Sequence, residues 1–463
     1  MKEPTATPGD PSVFDNGVDA FEARPLLRSH LAREALRHLA SSPGRVLGVD
    51  YAVGRKEMKR GMIAALAIGF SRRVASLCAD EPRVGILLPP GLGGVIANLA
   101  VSLAGKVPVN LNFTLGRSAL LSCLQQSGVR TMITVQKARE MIDDKFEDFP
   151  WAEQVIDIRE ELMALPKPAT LLTLVAAFLL PGRAFAGRYA KVSGGFRDEA
   201  GLLFTSGSTA EPKGVVLSHR NLLGNISQIA ASGLITPETR LLGNLPIFHS
   251  FGFTLEVWAP LLLDLFVVYT PSPLDFKTST KAIEAEQANL MVGTPTFFRP
   301  YLKRVAPERL ASLRAVIAGA EKSPEGFHAA WEERFPNCRY FEGYGLTETT
   351  PVVSTNLWDV DGKPGSRKGS VGPLFRGMAA RVIDADTCEP LPVGSTGIVC
   401  LKGPNIFEGY LGQPEKTAEV LGDDGWLTTG DLGRVDADGF LFIEGRLSRF
   451  SKIGGEMVPH GAV

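Results

Sequence analysis

The sequence has no excess of charge of either sign. Its 49 lysine and arginine residues are balanced by 50 aspartate and glutamate residues, which leaves a formal net charge of -1 at pH 7. No basic run stands out locally, whereas a nucleic-acid-binding protein usually carries a basic patch or stripe. The composition therefore argues against a nucleic-acid partner.

Cysteine is scarce and scattered. The chain has five cysteines and no C-x-x-C pair. An odd, unclustered set is typical of reduced thiols in the cytosol. The sequence therefore predicts a cytoplasmic location, without a disulfide framework or a zinc site. The five residues are Cys78, Cys123, Cys338, Cys388 and Cys400.

Long hydrophobic runs are absent as well. The one membrane candidate is the apolar run 171–180 before Pro181, and a spanning helix takes ~20 apolar residues. We expect a buried helix there. Because Arg183, Arg188 and Lys191 follow the run, a peripheral contact with the inner membrane is the alternative.

The N-terminus lacks the apolar core of a signal peptide. Residues 1–17 are polar and rich in proline and glycine, which excludes such a leader in this stretch. We expect a disordered tail over residues 1–23.

The length and the order of predicted elements favour an α/β fold with several subdomains. A chain of 463 residues exceeds the size at which one hydrophobic core keeps growing. We expect an α/β subdomain over residues 24–190, a second one over 191–369 and a small barrel-like β subdomain over 370–445, with 446–463 as a separate C-terminal piece. In both α/β subdomains we expect sheets flanked by helices.

The first subdomain shows the clearest alternation of strands and helices. The predicted strands are 84–88, 107–109 and 131–135, and the helices between them are 94–105 and 117–127, as in a parallel sheet covered by helices. Hydrophobic periodicity also predicts helices over 24–39 and 56–77. Later strands are predicted near 202–217, 240–245, 266–269, 290–293 and 315–320, and short β runs with tight turns follow from about residue 370.

A loop rich in hydroxyl groups and glycine lies between two short apolar runs. Residues 205–209 read Thr-Ser-Gly-Ser-Thr, and Lys213 follows them. Backbone N–H groups and hydroxyls donate to phosphate oxygens, and a lysine adds a point charge. The loop is neither a Walker loop, because Pro212 precedes and Gly214 follows the lysine, nor a dinucleotide fingerprint. On spacing alone, a phosphate site and an ordinary Ser/Gly hairpin with an exposed lysine are both open.

The stretch 201–221, GLLFTSGSTAEPKGVVLSHRN, resembles the signature phosphate loop of the adenylate-forming enzymes. These include acyl-CoA synthetases, luciferases and peptide-synthetase adenylation domains, and their pattern is (S/T)-S-G-(S/T)-(S/T)-G-x-P-K-G. Ala210 stands where the family usually has glycine, which removes some backbone freedom. The resemblance implies a large N-terminal adenylation domain that binds ATP phosphates through Lys213, Thr205, Ser206, Gly207, Ser208 and Thr209.

Residues 343–349, GYGLTET, resemble the Y-G-x-T-E core of the same family. The resemblance implies that Tyr344 lies against adenine and that Thr347 binds the α-phosphate. It also implies that Glu348 is the protein ligand of Mg²⁺, an ion that prefers hard oxygen ligands.

Three further segments resemble nucleotide contacts of the family. Gly319, Ala320 and Glu321 resemble its adenine-side strand end, and 429–431 resembles its T-G-D motif. Asp431 would then accept hydrogen bonds from both ribose hydroxyls, because one carboxylate can take two donors. Arg446 fits the contact with ribose and phosphate.

One histidine, His249, stands among aromatic residues in the segment 246–252, PIFHSFG. A lone histidine in an apolar run is more often a core residue than a catalyst. The resemblance implies instead that this segment lines the carboxylate pocket, where the histidine or its aromatic neighbour gates the acyl channel. We expect His249 to act there, beside Lys213, Thr347 and Glu348 as catalytic residues.

The last residues resemble the start of the family's mobile C-terminal domain. Arg446 begins the hinge segment, Arg449 occupies the hinge position where aspartate or lysine is more usual, and 452–456 resembles the loop used for thioester formation. The resemblance implies a further domain of roughly 100 residues, an ordinary domain size. We therefore expect that this chain lacks the catalytic lysine of that domain.

Four short segments resemble one branch of the family, the acyl-acyl-carrier-protein synthetase half of bacterial enzymes that reacylate lysophospholipid. The resemblance implies ATP- and Mg²⁺-dependent activation of a fatty acid through an acyl-adenylate, and transfer to the thiol of acyl carrier protein or CoA. An acyl-CoA synthetase for another carboxylate, and a truncated nucleotide- and acyl-binding module with little turnover, are the alternatives. The segments are 108–113, 293–298, 318–322 and 342–351.

Overall fold

The computed structural model describes residues 10–52, 54–206, 211–360, 362–447, 450–453 and 456–459. Within them the chain has the predicted α/β class, with helices on two mostly parallel sheets, a third, antiparallel sheet of six strands, and a fourth, two-stranded antiparallel sheet over residues 450–453 and 456–459. The strands are β1 Val13–Asp15, β2 Val46–Asp50, β3 Lys56–Lys59, β4 Arg83–Ile86, β5 Val107–Asn110, β6 Thr131–Thr134, β7 Gln154–Asp157, β8 Glu199–Ser206, β9 Pro212–Ser218, β10 Arg240–Gly243, β11 Phe266–Tyr269, β12 Leu290–Gly293, β13 Ala315–Ala318, β14 Arg339–Gly345, β15 Val352–Thr355, β16 Ala379–Ile383, β17 Pro390–Leu391, β18 Gly397–Lys402, β19 Gly409–Tyr410, β20 Leu427–Val435, β21 Leu441–Arg446, β22 Phe450–Ile453 and β23 Glu456–Pro459.

The helices cover both faces of the parallel sheets. A π-helical turn, Phe253–Trp258, joins α11 to α12, and short 3₁₀ turns occur at Pro25–Arg28, Pro307–Leu310 and Thr347–Thr349. The helices are α1 Val18–Glu22, α2 Leu31–Ser41, α3 Arg60–Leu77, α4 Leu92–Leu103, α5 Arg117–Ser127, α6 Gln136–Lys145, α7 Ile158–Ala164, α8 Lys167–Leu179, α9 Gly182–Tyr189, α10 His219–Ala231, α11 Ser250–Gly252, α12 Ala259–Leu262, α13 Phe276–Glu286, α14 Pro295–Arg304, α15 Phe327–Arg334 and α16 Pro414–Ala418.

Each sheet has its own strand order. The first sheet runs β19-β9-β8-β5-β4-β6-β7, and the second runs β15-β14-β13-β12-β10-β11-β2-β3. Both are parallel in the middle and antiparallel at an edge. Because helices cover a parallel sheet on both faces, its strands are buried, as in β12 and β13, where every residue is buried.

The third sheet runs β1-β16-β18-β20-β21, with β17 beside β16. The predicted β texture after residue 370 is therefore confirmed. In the described residues the strand order runs between two edges and does not close on itself. A twisted antiparallel sheet describes this part better than the predicted barrel-like form.

The predicted division at residue 190 does not separate the two parallel sheets. β2 and β3 precede that residue but join the second sheet through β11, and β8 and β9 follow it but belong to the first sheet. Strand pairing here is decided by tertiary contacts, which local sequence patterns do not report.

The predicted disordered tail is wrong for residues 10–23. β1 pairs with β16, with Phe14 opposite Ala380, and Phe14 packs directly on Gly439, where an added Cβ would come within 2.2 Å of the ring. The contact partner lies near the other end of the sequence, so composition near the N-terminus could not reveal it. Residues 1–9 lie outside the described residues.

Two helix predictions also need correction. Residues 56–59 form β3 and pair with β2, because the edge of the second sheet is available to them, and the helix begins at Arg60. The apolar run 171–180 is helical as α8, but it is not buried, since Leu171, Leu172, Val175, Phe178 and Leu179 are all exposed. In the described residues no single helix has the length and apolar character to span a membrane, although α7 and α8, bent by 87°, pass that test together.

A buried histidine, His219, and a half-buried one, His30, meet where α10 and α2 begin. The ring centroids of His30 and His219 are 3.7 Å apart, and the Nδ1 atoms of His219 and His30 accept the backbone N–H groups of Leu31 and Ala32. An accepting Nδ1 requires the neutral ring. Burial lowers the pKa of His30 to about 3 and that of His219 to about 4.

This pair predicts that acid destabilises the fold. Because an unfolded histidine titrates near pH 6.5, the unfolded chain binds more protons than the folded one between about pH 6.5 and 4, and stability falls as the pH falls through that window. We expect the protonation of His219 alone to lower the free energy of unfolding by about 2 kcal/mol when the pH falls from 7 to 5. Urea unfolding at both pH values measures this difference.

His219→Gln should flatten the pH dependence of stability. His328→Gln is the matched control, because the side chain of His328 is 51% exposed. An unchanged pH dependence in the His219 variant would contradict the prediction.

Candidate active site

A cavity of about 890 Å³ lies where the three sheets meet. Its walls come from the β8–β9 hairpin, the segment 245–251, the ends of β13 and β14, and the strands β19 and β20. Most of the predicted site residues therefore come together in one place although they are spread over more than 200 positions of sequence. Those that line the cavity are Thr205, Lys213, His249, Gly319, Ala320, Glu321, Tyr344, Thr347, Glu348 and Arg446.

The predicted phosphate loop connects the antiparallel strands β8 and β9. Thr205 pairs with Lys213 and Ser206 with Pro212 across the two antiparallel strands, so the lysine and the first hydroxyl of the loop stand side by side. Of Ser206 only the backbone is described, and Gly207, Ser208 and Thr209 lie outside the described residues.

Tyr410 joins Lys213 to Glu348. β19 pairs with β9 next to Lys213, and the Lys213 ammonium lies 4.9 Å from the centroid of the Tyr410 ring. The Tyr410 hydroxyl donates to Glu348 Oε1 at 2.8 Å. Burial and the neighbouring Glu348 carboxylate raise the pKa of Tyr410, so its hydroxyl stays a donor. The sequence analysis missed Tyr410, because its role depends on the pairing of β19 with β9 and not on a motif.

Glu348 suits a Mg²⁺ ion that arrives with a nucleotide. In the described residues no group of three or more His, Cys, Asp or Glu side chains forms a metal cage. Mg²⁺ is commonly bound through one or two carboxylates, with substrate phosphates and water completing its shell. A single half-buried carboxylate beside Thr347, Tyr410 and Lys213 matches that pattern.

Asp431 is held by two donors from the protein. It is buried, with 5% exposure, and its carboxylate accepts the Tyr344 hydroxyl on one oxygen and Arg446 Nε, at 3.1 Å, on the other. Burial, followed by the Asp431 charge, raises the pKa of Tyr344. Asp431 itself is not among the residues that line the cavity, whereas its neighbour Gly430 and its partner Arg446 are, and the Arg446 side chain is half-exposed.

The strand end after β13 is open to the cavity. Ala320 and Glu321 are exposed there, while Gly319 is buried. Ala320 has φ 64°, a left-handed conformation that costs an alanine about 1 kcal/mol. Glu321 accepts the Thr296 hydroxyl at 2.7 Å, which ties the strand end to α14.

His249 lines the cavity and is exposed there. Its ring lies 4.7 Å from that of Phe248, which in turn makes an edge contact with Phe113 at 5.6 Å. Burial within the cleft lowers the pKa of His249, so the ring is neutral at pH 7. It is therefore a cavity-lining residue and not a packed core histidine.

The cavity has a second, apolar end beside α10. This end is formed by α10, the strand end after β10, the π-helical turn and β15, and none of its lining residues is charged. The aliphatic ones are Ile229, Leu234, Leu245, Leu255 and Val352, and Thr355 of β15 is polar and uncharged. The charged lining residues Lys213, Glu321, Glu348 and Arg446 belong to the other elements.

A network of buried amides fixes the turn that carries Thr347 and Glu348. A reciprocal capping box between Ser218 and Asn221 starts α10. Asn221, Asn225 and Gln228 then lie on one face of the helix at i, i+4 and i+7. We call these three residues and Asn405 the amide network, and all four are fully buried.

The amide network binds backbone carbonyls from two other segments. Asn221 Nδ2 donates to the carbonyls of residues 404 and 406, and Asn225 Nδ2 donates to that of Val352. Gln228 donates to Asn405 Oδ1 at 3.1 Å, and Asn405 Nδ2 donates to the Thr349 carbonyl at 2.7 Å. The backbone N–H of Phe407 also donates to the Glu348 carbonyl. Hydrogen bonds from the segment 405–407 therefore fix the position of the turn at 347–349.

This fold, with a cavity that is polar at one end and apolar at the other, is that of the adenylate-forming enzymes. The chain belongs to the AMP-binding enzyme family, whose sequence profile matches residues 75–411. The predicted superfamily is therefore confirmed, whereas the branch within it stays a prediction.

Named relatives include plant and bacterial CoA ligases. The chain is 30% identical over 419 residues to feruloyl-CoA synthase of an Amycolatopsis species, covering 87% of this chain and 77% of that protein. It is 33% identical over 268 residues to 4-coumarate–CoA ligase-like 9 of Arabidopsis thaliana, covering 57% of this chain. The match spans 47% of that plant protein, about half of its length.

Solved structures share the fold. ATP-bound MatB from Rhodopseudomonas palustris superposes with a TM-score of 0.75 at 25% identity and covers 92% of this chain and 81% of that one. The N-terminal domain of FACL13 from Mycobacterium tuberculosis has a TM-score of 0.74 at 23% identity and covers 90% of this chain and 100% of that domain.

The amide network predicts a large stability effect from one buried side chain. Asn405→Ala leaves the Thr349 carbonyl and the Gln228 amide without their partners, and we expect a loss of about 2–4 kcal/mol in unfolding free energy. Asn289→Ala is the matched control, since that half-buried side chain also bridges two backbone groups and should cost about 1 kcal/mol. Equal losses in urea unfolding would contradict the role of the network.

Proposed function

We propose that this chain activates a fatty acid with ATP and transfers the acyl group to a thiol. A carboxylate oxygen attacks the α-phosphorus of ATP, the bond to pyrophosphate breaks, and an acyl-adenylate forms. The thiol sulfur then attacks the acyl carbon, and AMP leaves with the electrons of the acyl–oxygen bond. The acceptor is acyl carrier protein or CoA.

The observation that carries this proposal is the division of one cavity into unlike ends. One end collects a lysine, a carboxylate and several hydroxyls, as a polyphosphate with its metal ion requires. The other end is lined by aliphatic side chains without charge, as an acyl chain requires. The carboxylate of a bound fatty acid would lie between them, near His249.

At the polar end we assign the phosphates to the β8–β9 hairpin. Lys213 and the hydroxyl of Thr205 would bind phosphate oxygens together with the loop residues Ser206 to Thr209, and Thr347 would bind the α-phosphate. Tyr410 is a positioning residue in this proposal, because it touches both Lys213 and Glu348. Catalysis is then mainly positioning and charge stabilisation.

Glu348 would hold Mg²⁺ in the proposed complex. The ion, when bound, supplies neutralisation of the phosphate charge. The Tyr410 hydroxyl engages one carboxylate oxygen of Glu348, so the other oxygen would be available to the ion. The hydrogen bond from the Phe407 N–H to the Glu348 carbonyl keeps the turn in place.

We assign the nucleoside to the side of β13, β14 and β20. Gly319, Ala320 and Glu321 would border adenine with Tyr344, and Asp431 with Arg446 would bind the ribose. A carboxylate has about four lone-pair sites, so Asp431 can accept ribose hydroxyls while it keeps the Tyr344 bond. Arg446 would then turn towards a phosphate.

The apolar end supports a fatty acid over a dicarboxylate. A second carboxylate at this end would be desolvated without a cation, which is strongly unfavourable. His249 is neutral and brings no charge, so we propose that it gates the acyl channel sterically. The names of the ligase relatives point to aromatic acids, and a hydroxycinnamate is the alternative substrate.

The acyl-carrier-protein branch, the cytoplasmic location and a contact with the inner membrane complete the proposal. The branch rests on the four short segments named above, and the location rests on the free thiols. The surface that supports a membrane contact is argued in the next subsection.

The function is tested by pyrophosphate release. Purified protein with ATP and Mg²⁺ should release pyrophosphate with fatty acids and form a thioester with acyl carrier protein or CoA. Leu255→Glu places a charge in the apolar end and should abolish the response to fatty acids while ATP still binds. Release with ferulic acid alone would assign the alternative substrate, and ATP binding without release for any acid would contradict the enzyme assignment.

A second prediction concerns Lys213. In our proposal its charge faces the outer phosphates. Lys213→Ala should therefore weaken the binding of ATP by about 1.5–3 kcal/mol, the cost of a lost charge-assisted hydrogen bond. The binding of AMP should be weakened less. Calorimetric titration with both nucleotides measures the difference. Lys277→Ala on the exposed face of α13 is the control. Equal losses for ATP and AMP would contradict the assignment.

A further inference from the structure

The α8 face, defined as Leu171, Leu172, Val175, Phe178 and Leu179, is an apolar surface that no other described residue covers. Their exposed fractions run from 44% to 75%, and Met163, just before α8, is 67% exposed. These six residues are more than half of the large hydrophobic residues that are exposed in the described part of the chain. Such a concentration marks an interaction surface, whereas single exposed hydrophobic residues are normal.

The α8 face is a stripe along one side of a docked helix. The other side of α8 is anchored, because Thr173 and Ala177 are buried and Leu174 lies against Gly61 of α3. The exposed side chains occur at i, i+1, i+4, i+7 and i+8, which is the helical period. Packing against other described residues therefore does not explain why the exposed side of α8 is apolar.

In the sequence that contains and follows α8, all formal charges are positive. From residue 162 to residue 197 the sequence has five basic residues and no acidic residue. Lys167, Arg183, Arg188 and Lys191 are all exposed. The nearest preceding acid, Glu161, is paired with Arg73 at 2.8 Å.

A groove opens next to the α8 face. It has a volume of about 510 Å³ between α3, α7 and α8, and its lining is apolar apart from Thr170 and Lys167. The apolar lining residues are Met62, Leu66, Leu162, Met163, Leu171 and Leu174, with Leu165 below them. The groove extends the exposed apolar surface and offers room for a lipid chain.

We propose that the α8 face docks on an anionic phospholipid bilayer. A helix of 13 residues is about 20 Å long, too short to cross a hydrocarbon core of about 30 Å. It would lie in the plane of the interface with its apolar side chains in the acyl region, as surface-lying amphipathic helices do. The flanking basic residues would meet the anionic headgroups. This inference does not depend on the proposed enzyme activity.

Vesicle flotation tests the proposal. The full chain is mixed with vesicles of phosphatidylcholine alone, or of phosphatidylcholine and phosphatidylglycerol in equal parts. We expect binding to the anionic vesicles that weakens with added salt. No binding, or equal binding to both vesicles, would overturn the proposal.

Two variants identify the surface. Leu172→Gln with Leu179→Gln should lower partition into anionic vesicles by on the order of 10-fold or more, and Leu274→Gln, at a residue 74% exposed elsewhere, should leave it unchanged. Arg183→Gln with Arg188→Gln should lower it by on the order of 10-fold at low salt, in contrast to Lys277→Gln with Lys281→Gln on α13. Wild-type binding by the leucine pair variant would refute the assignment.

A second copy of this chain is the competing occupant of the α8 face. Sedimentation without vesicles distinguishes the two. A wild-type dimer that the leucine pair variant converts to monomer would refute the bilayer, and a monomer in both cases supports it. Unchanged circular dichroism and thermal midpoint in the variants show that the loss of binding is not unfolding.

Discussion

The architecture depends on the pairing of buried amides along one face of α10. That helix continues from the first sheet, the carbonyls it binds near residue 350 lead into the second, and the segment 404–406 links the third sheet back to the first. A buried amide without a partner costs about 1–3 kcal/mol, so the three segments are stable together in one arrangement. The turn with Thr347 and Glu348 sits on this junction and takes its position from it.

The carboxylates of the site have protein donors before any ligand arrives. Glu348 is held by Tyr410, and Asp431 is held by Tyr344 and Arg446. Donors that are oriented in advance need no rearrangement when charge enters a site of low dielectric. A ligand that binds either carboxylate meets these donors, and the half-exposed Arg446 is easier to displace than the partly buried Tyr344.

Local patterns predicted the parts of the fold that depend on local interactions. The strands and helices from β4 to β6 agree with their predicted positions, and α5 has the predicted bounds. β1 was missed because its partner β16 is remote in sequence. β3 was missed because the helical periodicity of 56–77 was extended over residues 56–59, which pair with the neighbouring strand β2. Burial of α8 was predicted from its composition, but burial depends on what packs over a helix. Motif resemblance found the site residues with recognisable spacing, and it could not find Tyr410, whose role follows from strand register.

The pairing of β1 with β16 has a consequence for how the chain is made. Val13 lies opposite Arg381, and at a synthesis rate of about 5–20 residues per second the roughly 370 residues between them take tens of seconds to emerge. During that interval β1 has no strand to pair with. The third sheet cannot cover its edge at β16 until β1 joins it. The third sheet is thus completed by a strand that precedes its other strands by more than 360 residues.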